Sequence, residues 1–389
     1  MRKRFHLRAA AIIISIPLLG LVVDGYAAAP IDLKKLPPLV VWTAYDVGTT
    51  TYMQTACMAD GVTKKTGMKI RILPSGNDIG RLIPVRSAVG HFATMSAGSV
   101  YAATYGLYEY GRYEWGPQPI RQILGVIDRE QGIGVATAAA ANIKTFRDLK
   151  GKRVTYVPGG TSINLSVEAT LAFANLTWDD VIKIPAPSLA ASMKFIGEGK
   201  TDAALATTTS PAMYEVERSP YGVYWPEYTP EDKAGWERLW KITPYMVPVS
   251  ATKGVGVSPE KPRRLMSYAY PLILCYENLK EEIVYTMMKA IDISFDLYKA
   301  CNPVMPSWAL KKAVTLESML IPYHPGAVRY LKEVNLWDAD MEKKQKKLVQ
   351  EQNLLKKVWD VALAEATSRG MKEQDFTEFW EMKRVAALK

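Results

Sequence analysis

The sequence predicts an α/β protein of two lobes, each a mainly parallel sheet with flanking helices, joined by two inter-lobe crossings. Apolar, β-branched runs alternate with helical stretches from residue 39, and the same βαβαβ order recurs about a hundred residues later. In both copies the strands end in turns rich in Gly, Ser, Thr and Asn, where parallel sheets bind ligands. The pattern predicts a ligand cleft between the lobes. A rigid two-domain protein whose polar turns only cap helices is the alternative.

The first copy begins with an apolar, β-branched run that is typical of a buried parallel strand. The turn after it leads into a helix that ends near Gly67, and a later short helix carries Arg81 and Arg86. A helix rich in Tyr and Ala closes the copy. The predicted strands are residues 39–44, 69–73 and 92–95, and the turns that follow them are residues 45–50, 74–78 and 96–99.

The second copy begins at Lys152 with a strand, a Pro-Gly-Gly turn and a Thr-Ser helix start. Glycine lets backbone approach a ligand, and a helix start offers unpaired N–H groups to an anion. The predicted strands are residues 153–157, 181–184 and 203–206, the helices 163–175 and 189–196, and the turns 159–162 and 207–210.

Two strand-like stretches predict the crossings between lobes, residues 120–135 and 272–275. The predicted organisation is residues 30–130 with 272–337 as lobe 1 and residues 131–271 as lobe 2. Met341, Leu348, Leu355, Trp359 and Leu363 then predict an amphipathic helix that packs against a lobe, followed by a shorter helix. A contact surface for a membrane partner is the alternative role for this C-terminal extension, residues 338–389.

The N-terminus has the pattern of an export signal. Four basic residues lie between positions 2 and 8, before an apolar stretch at residues 9–23. The small residues near Ala27 suit cleavage by a signal peptidase. We expect residues 1–27 to be a cleaved signal peptide and the mature protein to be periplasmic. An uncleaved N-terminal membrane anchor is the alternative. No Cys follows the apolar stretch, so the pattern does not indicate a lipoprotein.

Composition excludes several classes of function. The net charge of +10 falls to +7 without residues 1–27, and much of it lies in lysines between residues 343 and 357, which indicate a solvated helix face rather than a nucleic-acid site. His91 and His324 have no metal-ligand spacing, so no metal, cofactor or His-based catalysis is expected. Three buried free thiols are expected. A Cys275–Cys301 disulfide, which closes the shortest loop, is the alternative in an oxidising compartment.

Several motifs resemble a known family. Residues 315–330, with Ile321-Pro322-Tyr323-His324-Pro325-Gly326, are similar to the C-terminal signature of TAXI-type solute-binding proteins, the receptors of one branch of tripartite ATP-independent periplasmic (TRAP) transporters. Residues 146–154 are similar to a motif of many periplasmic binding proteins. Ser75-Gly76-Asn77-Asp78 with Arg81 looks like the family's first-lobe loop, and residues 115–119 resemble a subset of the family. The resemblance covers roughly residues 39–337.

The resemblance implies a type II periplasmic-binding-protein-like fold and a receptor that closes on one small solute, then delivers it to a TRAP membrane permease. It implies a carboxylate or amino acid as solute, no catalysis, no nucleic acid and a monomer. Two loops depart from the family's glycine-rich pattern, at residues 47–52 and 207–210, where threonines stand instead. The identity of the solute therefore cannot be inferred from the resemblance.

The predicted site combines helix N-termini, side-chain hydroxyls and one arginine. The two N–H donors of an arginine guanidinium match the two oxygens of a carboxylate. Arg81 could instead meet water on a surface helix, Tyr52 could be core, and Asn77 could hold an Asx turn. The candidate ligand-binding residues are Gly48, Thr49, Thr50, Thr51, Tyr52, Ser75, Asn77, Arg81, Ser96, Gly98, Gly159, Gly160, Thr161, Ser162, Thr207 and Thr208.

Two rival functions use the same fold. An enzyme acting on a cofactor precursor would need a nucleophile or general base, and only Asp46, Asp78, Glu168 and Cys57 are available, none with a recognisable partner. A periplasmic sensor subunit would bind a solute and signal instead of feeding a permease.

Overall fold

The computed structural model describes residues 31–389, so the predicted signal peptide, residues 1–27, lies outside the described residues. The strands are β1 Val40–Tyr45, β2 Ile70–Ser75, β3 Phe92–Met95, β4 Ile120–Gly125, β5 Ile133–Thr137, β6 Arg153–Tyr156, β7 Ile182–Pro185, β8 Ala203–Thr207, β9 Val247–Ala251, β10 Arg263–Ser267 and β11 Leu272–Tyr276. The helices are α1 Thr50–Thr66, α2 Asp78–Arg86, α3 Ala97–Tyr105, α4 Thr161–Phe173, α5 Leu189–Gly197, α6 Pro211–Glu217, α7 Lys233–Ile242, α8 Glu281–Ile293, α9 Phe295–Tyr298, α10 Leu310–Ala313, α11 Pro325–Glu333, α12 Ala339–Ser368 and α13 Glu373–Ala387.

The first lobe contains a five-stranded sheet in the order β2-β1-β3-β11-β4. β1 pairs in parallel with β2 and β3, and β11 is antiparallel to both of its neighbours. All β1 side chains are buried except Val41, which is half-buried, and α1 and α8 cover this sheet. Residues predicted as a buried parallel strand therefore form the centre of one core.

The second lobe contains a six-stranded sheet in the order β7-β6-β8-β5-β10-β9. Only β6 makes parallel pairs, with β7 and β8, while the strands next to the crossings pair antiparallel. The β9–β10 hairpin was not predicted from the sequence. Both lobes share one arrangement, in which the first strand lies between the second and third and an antiparallel strand follows. The fold is the two-lobed, type II periplasmic-binding-protein-like fold that the resemblance implied.

Two segments cross between the sheets, residues 126–132 and residues 268–271. They are hydrogen-bonded to each other, because the Tyr270 N–H donates to the Val126 carbonyl at 2.8 Å and the Val126 N–H to the Pro271 carbonyl at 3.3 Å. The buried Asp128 carboxylate accepts from the N–H groups of Glu130 and Gln131. The predicted two-crossing architecture is confirmed, and the first crossing falls within the predicted residues 120–135. The second was predicted at residues 272–275, but these residues belong to β11 of the first sheet, and the chain crosses just before them. The domain boundaries at residues 130/131 and 271/272 stay a prediction.

The cysteines are arranged differently from either expectation. Cys57 on α1 and Cys301 after α9 form a disulfide, with their Cα atoms 6.2 Å apart, and Cys275 is a buried free thiol. Both the three-thiol expectation and the Cys275–Cys301 alternative were wrong. Chain spacing suggested the shortest loop, whereas the packing of α9 on α1 brings together residues 244 positions apart.

The C-terminal extension forms α12 and α13, which pack against the first lobe. Trp359, Phe376 and Trp380 make edge-to-face ring contacts in a separate small core. The Trp380 indole donates to the Tyr105 carbonyl at 3.1 Å, which attaches this core to the end of α3. The predicted packing role is confirmed, and the contact surface for a membrane partner stays a prediction. Across residues 31–389, no helix is both long and apolar enough to cross a membrane.

Candidate functional site

The loops that follow the parallel strands begin helices at the contact between the lobes. Three of the predicted residues are N-caps: Thr49 accepts from the Tyr52 N–H at 3.1 Å, Asn77 from the Gly80 N–H at 2.8 Å, and Ser96 from the Ser99 N–H at 3.5 Å. The hydrogen-bond capacity of these side chains is therefore used to start helices of the first lobe. Gly160 begins α4 in the second lobe without a side-chain cap.

At the centre lies a fully buried carboxylate, that of Asp78 at the start of α2. Its Oδ1 accepts from an Arg81 guanidinium N–H and from the Ser99 hydroxyl, the latter at 2.5 Å. Its Oδ2 accepts from the Ser162 N–H at 2.7 Å and from the Ser162 hydroxyl at 2.9 Å. Arg81 and Ser99 belong to the first lobe and Ser162 to the second. One carboxylate thus holds the two lobes together with four donors.

Arg81 is completely buried, so the interpretation that it meets water on a surface helix was wrong. Its Nη1 donates to the Ser75 carbonyl at 3.1 Å, and its guanidinium carbon lies 3.4 Å from the centre of the Tyr45 ring. Burial by itself would lower the pKa of Arg81, but Tyr45 and Asp78 raise it above its ordinary value. The guanidinium is therefore a permanent positive charge. Its Nε donor has no hydrogen-bond partner among the described residues.

A row of tyrosine rings extends from Arg81 along the contact between the lobes. Successive ring centres are 6.1 Å apart for Tyr45 and Tyr270, 5.8 Å for Tyr270 and Tyr268, 5.8 Å for Tyr268 and Tyr245, and 5.6 Å for Tyr245 and Tyr101. Burial raises the pKa of each of these phenols. They stay protonated near neutral pH and can donate hydrogen bonds.

A second contact between the lobes consists of hydroxyls. Thr50 Oγ1 lies 2.7 Å from Thr207 Oγ1 and 3.2 Å from both Thr209 Oγ1 and Ser210 Oγ. All four side chains are buried. The two threonine-rich turns therefore contact each other across the cleft.

The glycines lie where the two backbones approach closely. The Gly159 carbonyl accepts from the Asp78 N–H at 3.0 Å, and the Gly48 carbonyl from the Ala212 N–H at 3.2 Å. A Cβ built on Gly98 would stand 2.8 Å from the Tyr245 hydroxyl. Gly48 and Gly159 have φ values of +97° and +69°, a region that other residues rarely adopt.

The other predicted residues make contacts away from Asp78. Thr161 donates to Glu109 of the first lobe at 2.5 Å, which is a further contact between the lobes, whereas Thr208 donates to the Lys253 carbonyl at 2.6 Å inside the second lobe. Thr51 is buried next to Tyr270, and Tyr52 is half-buried. Ser75 contributes its carbonyl rather than its hydroxyl to Arg81.

Sequence reasoning missed the residues at the centre of the contact. The sequence places Asp78 in the first-lobe loop and among the carboxylates that an enzyme could use, but not among the predicted ligand-binding residues. Ser99, Tyr45, Tyr245 and Tyr270 are not among the predicted site residues either. For Asp78 a signal existed, because a carboxylate at the first position of a helix lies three residues before an arginine on the same face. Nothing local in the sequence marks the tyrosines.

Cavities open beside this centre. A cavity of about 260 Å³ lies between the lobes and is lined by Tyr101, Thr104, Tyr245 and Leu320, among others. Another of about 380 Å³ borders Asn77 and Gly159 and includes Arg112. A further cavity of about 830 Å³ lies outside the centre, between α13 and the end of α7.

Comparison with protein families gives one match over most of the chain. The NMT1-like family matches residues 47–334, a range that contains every strand of both sheets except β1. The chain belongs to the NMT1-like family. Among curated proteins, none matches this sequence.

Solved structures with a related shape are distant in sequence. MatC from Rhodopseudomonas palustris with bound malate has 13% identity and a TM-score of 0.49, covering 77% of this chain and 100% of its own. The binding-protein component of a phosphonate ABC transporter from Pseudomonas aeruginosa has 12% identity and a TM-score of 0.45, with 82% and 97% covered. The arginine-bound AbpA from Streptococcus pneumoniae has 11% identity and a TM-score of 0.36, with 68% and 96% covered.

Proposed function

We propose that the protein is a periplasmic, non-enzymatic receptor of the TAXI type. It captures a small organic anion, an amino acid or another carboxylate, in the cleft between its lobes and delivers it to a TRAP membrane permease. The motifs at residues 75–81 and 315–330 support the TAXI assignment. The proposed permease partner rests on the resemblance, and the proposed periplasmic location rests on the export-signal pattern of residues 1–27. We expect the protein to be a monomer.

One observation carries the proposal: donors from both lobes converge on a buried carboxylate, that of Asp78. A guanidinium, a hydroxyl and the N-terminus of the 13-residue helix α4 form a donor set that suits any small carboxylate. Because the donors belong to different lobes, the complete set exists only when the lobes are closed. Binding of an anion and closure are therefore coupled.

The test is a screen of the purified protein by thermal shift, confirmed by isothermal titration calorimetry. Organic acids and amino acids form the main set, with neutral sugars and polyamines as controls. A ligand at about 100 times its dissociation constant should stabilise the folded state by about 2.7 kcal/mol. Stabilisation by a sugar or a polyamine, with no response to any anion, would contradict the proposal.

Closure is measured separately. Spin labels on the exposed Thr63 and Lys200, one in each lobe, should come closer when the solute saturates the cleft. The solute should be recovered unchanged after denaturation, whereas an enzyme would consume it. Uptake of the solute into vesicles that contain the permease would distinguish transport from sensing.

A further inference from the structure

The closed cleft already contains a carboxylate in the position where an anionic solute would find its donors. Asp78 Oδ2 lies 2.7 Å from the Ser162 N–H in the first turn of α4, and Oδ1 lies 2.5 Å from the Ser99 hydroxyl in the first turn of α3. The same carboxylate pairs with the buried guanidinium of Arg81. Helix starts and a guanidinium are the groups that proteins use to hold anions.

The local charge leaves no room for a second anion beside this one. Arg81 and Asp78 form an ion pair in which both side chains are fully buried, and their opposite charges cancel. A solute carboxylate added next to them would place two negative charges in a site with one cation, which buried carboxylates avoid. The anion has to replace Asp78 in the donor set rather than join it.

Donors around the pair remain without partners. The Nε of Arg81 and the hydroxyls of Tyr110 and Tyr245 are buried atoms that make no hydrogen bond among the described residues. Arg81 and Tyr110 are fully buried, and Tyr245 is partly buried. The Tyr245 hydroxyl lies close to Ser162, because a Cβ built on Gly98 would stand 2.8 Å from this hydroxyl and 3.0 Å from the Ser162 Cβ. Tyr110 interacts electrostatically with both Asp78 and Arg81. Buried polar groups normally have partners. These three donors are therefore available to a solute that enters here.

We propose that the Asp78 carboxylate is an intramolecular occupant of the anion position, which fills the donor set in the absence of solute and is displaced by an anionic one. The inference rests on the proposed function, since it assumes that a solute anion enters this cleft. Asp78 then sets specificity, because only anions that hold the donors better than the internal carboxylate bind. It also lowers the apparent affinity by the fraction of molecules in which Asp78 occupies the site.

Chemical rescue tests the occupancy directly. Asp78→Ala removes the atoms of one formate ion, so formate should raise the melting temperature of this variant in a saturable way. The wild-type protein should not respond at the same concentrations, with sodium chloride matching the ionic strength. Asp202→Ala is the matched control, because Asp202 also pairs with an arginine, Arg153. This pair lies at the start of β6, whereas the candidate site lies beyond the end of that strand. A formate response of Asp78→Ala no larger than that of Asp202→Ala would overturn the proposal.

Two further measurements keep the proposal testable if Asp78→Ala does not fold. Asp78→Asn keeps the shape but removes the charge, and it should bind any anion identified in the screen at least ten-fold tighter than the wild type. In a crystal structure with that anion, the solute rather than Asp78 should accept from the Ser162 N–H. Weaker binding by Asp78→Asn, or an Asp78 carboxylate still on Ser162, would refute displacement.

The outcomes separate this inference from the proposed function. Rescue by formate without any organic anion that binds the wild type would support occupancy by Asp78 and contradict the receptor proposal. A wild-type protein that binds a carboxylate solute, with Asp78 variants that bind it less well, would support the receptor and overturn displacement.

Discussion

Removing the charge of Arg81 should destabilise the protein because it leaves Asp78 buried without a counter-charge. Arg81→Met keeps most of the side-chain volume but loses the ion pair with Asp78, the hydrogen bond to Ser75 and the stacking on Tyr45. Breaking a buried pair from one side costs about 3–5 kcal/mol. Because the side chains of Arg81 and Asp78 are both 0% exposed, we expect a value within that range.

The assay is urea unfolding at pH 7, followed by circular dichroism and tryptophan fluorescence so that separate unfolding of the lobes would be detected. Asp78→Asn and the double variant complete a thermodynamic cycle. If the loss arises from the unpaired charge, the double variant should lose about 2 kcal/mol less than the sum of the single losses. Arg153→Met is the control, because its ion pair with Asp202 is partly exposed and should contribute about 1 kcal/mol or less. Additive losses within about 0.5 kcal/mol would refute the reasoning.

Three other outcomes follow from the structure. Cys301→Ser should lose about 2–4 kcal/mol in urea unfolding, because the disulfide closes a loop of 244 residues, and reductant should then have no further effect, whereas Cys275→Ser should keep its sensitivity to reductant. Gly98→Val should hold the lobes apart, because its Cβ would overlap the Tyr245 hydroxyl, and the radius of gyration from small-angle X-ray scattering should stay larger than that of the wild type with solute present. Burial lowers the pKa of His324, so unfolding should bind a proton and stability should fall as the pH drops below about 6.5. His324→Asn, which can still cap α11, should lose less stability between pH 7 and pH 5; an equal loss would exclude His324 as the cause.

The predicted strands of both βαβαβ copies match the structure closely, because each is a short apolar run bounded by turn residues. β1 was predicted at residues 39–44 and spans Val40–Tyr45, and β8 was predicted at 203–206 and spans Ala203–Thr207. The helix starts were also predicted, since Thr49, Asn77 and Ser96 are residues that cap helices. These features depend on residues that are close in the sequence.

The centre of the candidate site depends on residues that are distant in the sequence. Ser162 and Asp78, which form a hydrogen bond, are 84 residues apart in the chain. The rings of Tyr270 and Tyr45 are in contact because the second crossing passes close to the end of β1. The disulfide was missed for the same reason. Thr207 faces the other lobe, whereas its neighbour Thr208 does not. This difference depends on how one lobe is oriented against the other. The pattern of strands in the sequence carries no information about that orientation.

The position of β11 has a consequence for the order in which the lobes are completed. All six strands of the second lobe come from one continuous stretch, Ile133 to Ser267, whereas β11 lies between β3 and β4 in the first sheet. A chain that emerges from its amino-terminal end can assemble the second lobe while the first still has a gap where β11 belongs. The first lobe must then receive its last strand and Cys301 after its neighbour has folded. Until then β3 and β4 are exposed edges that can pair with another chain, so this interval in biosynthesis is when the protein is most vulnerable to aggregation.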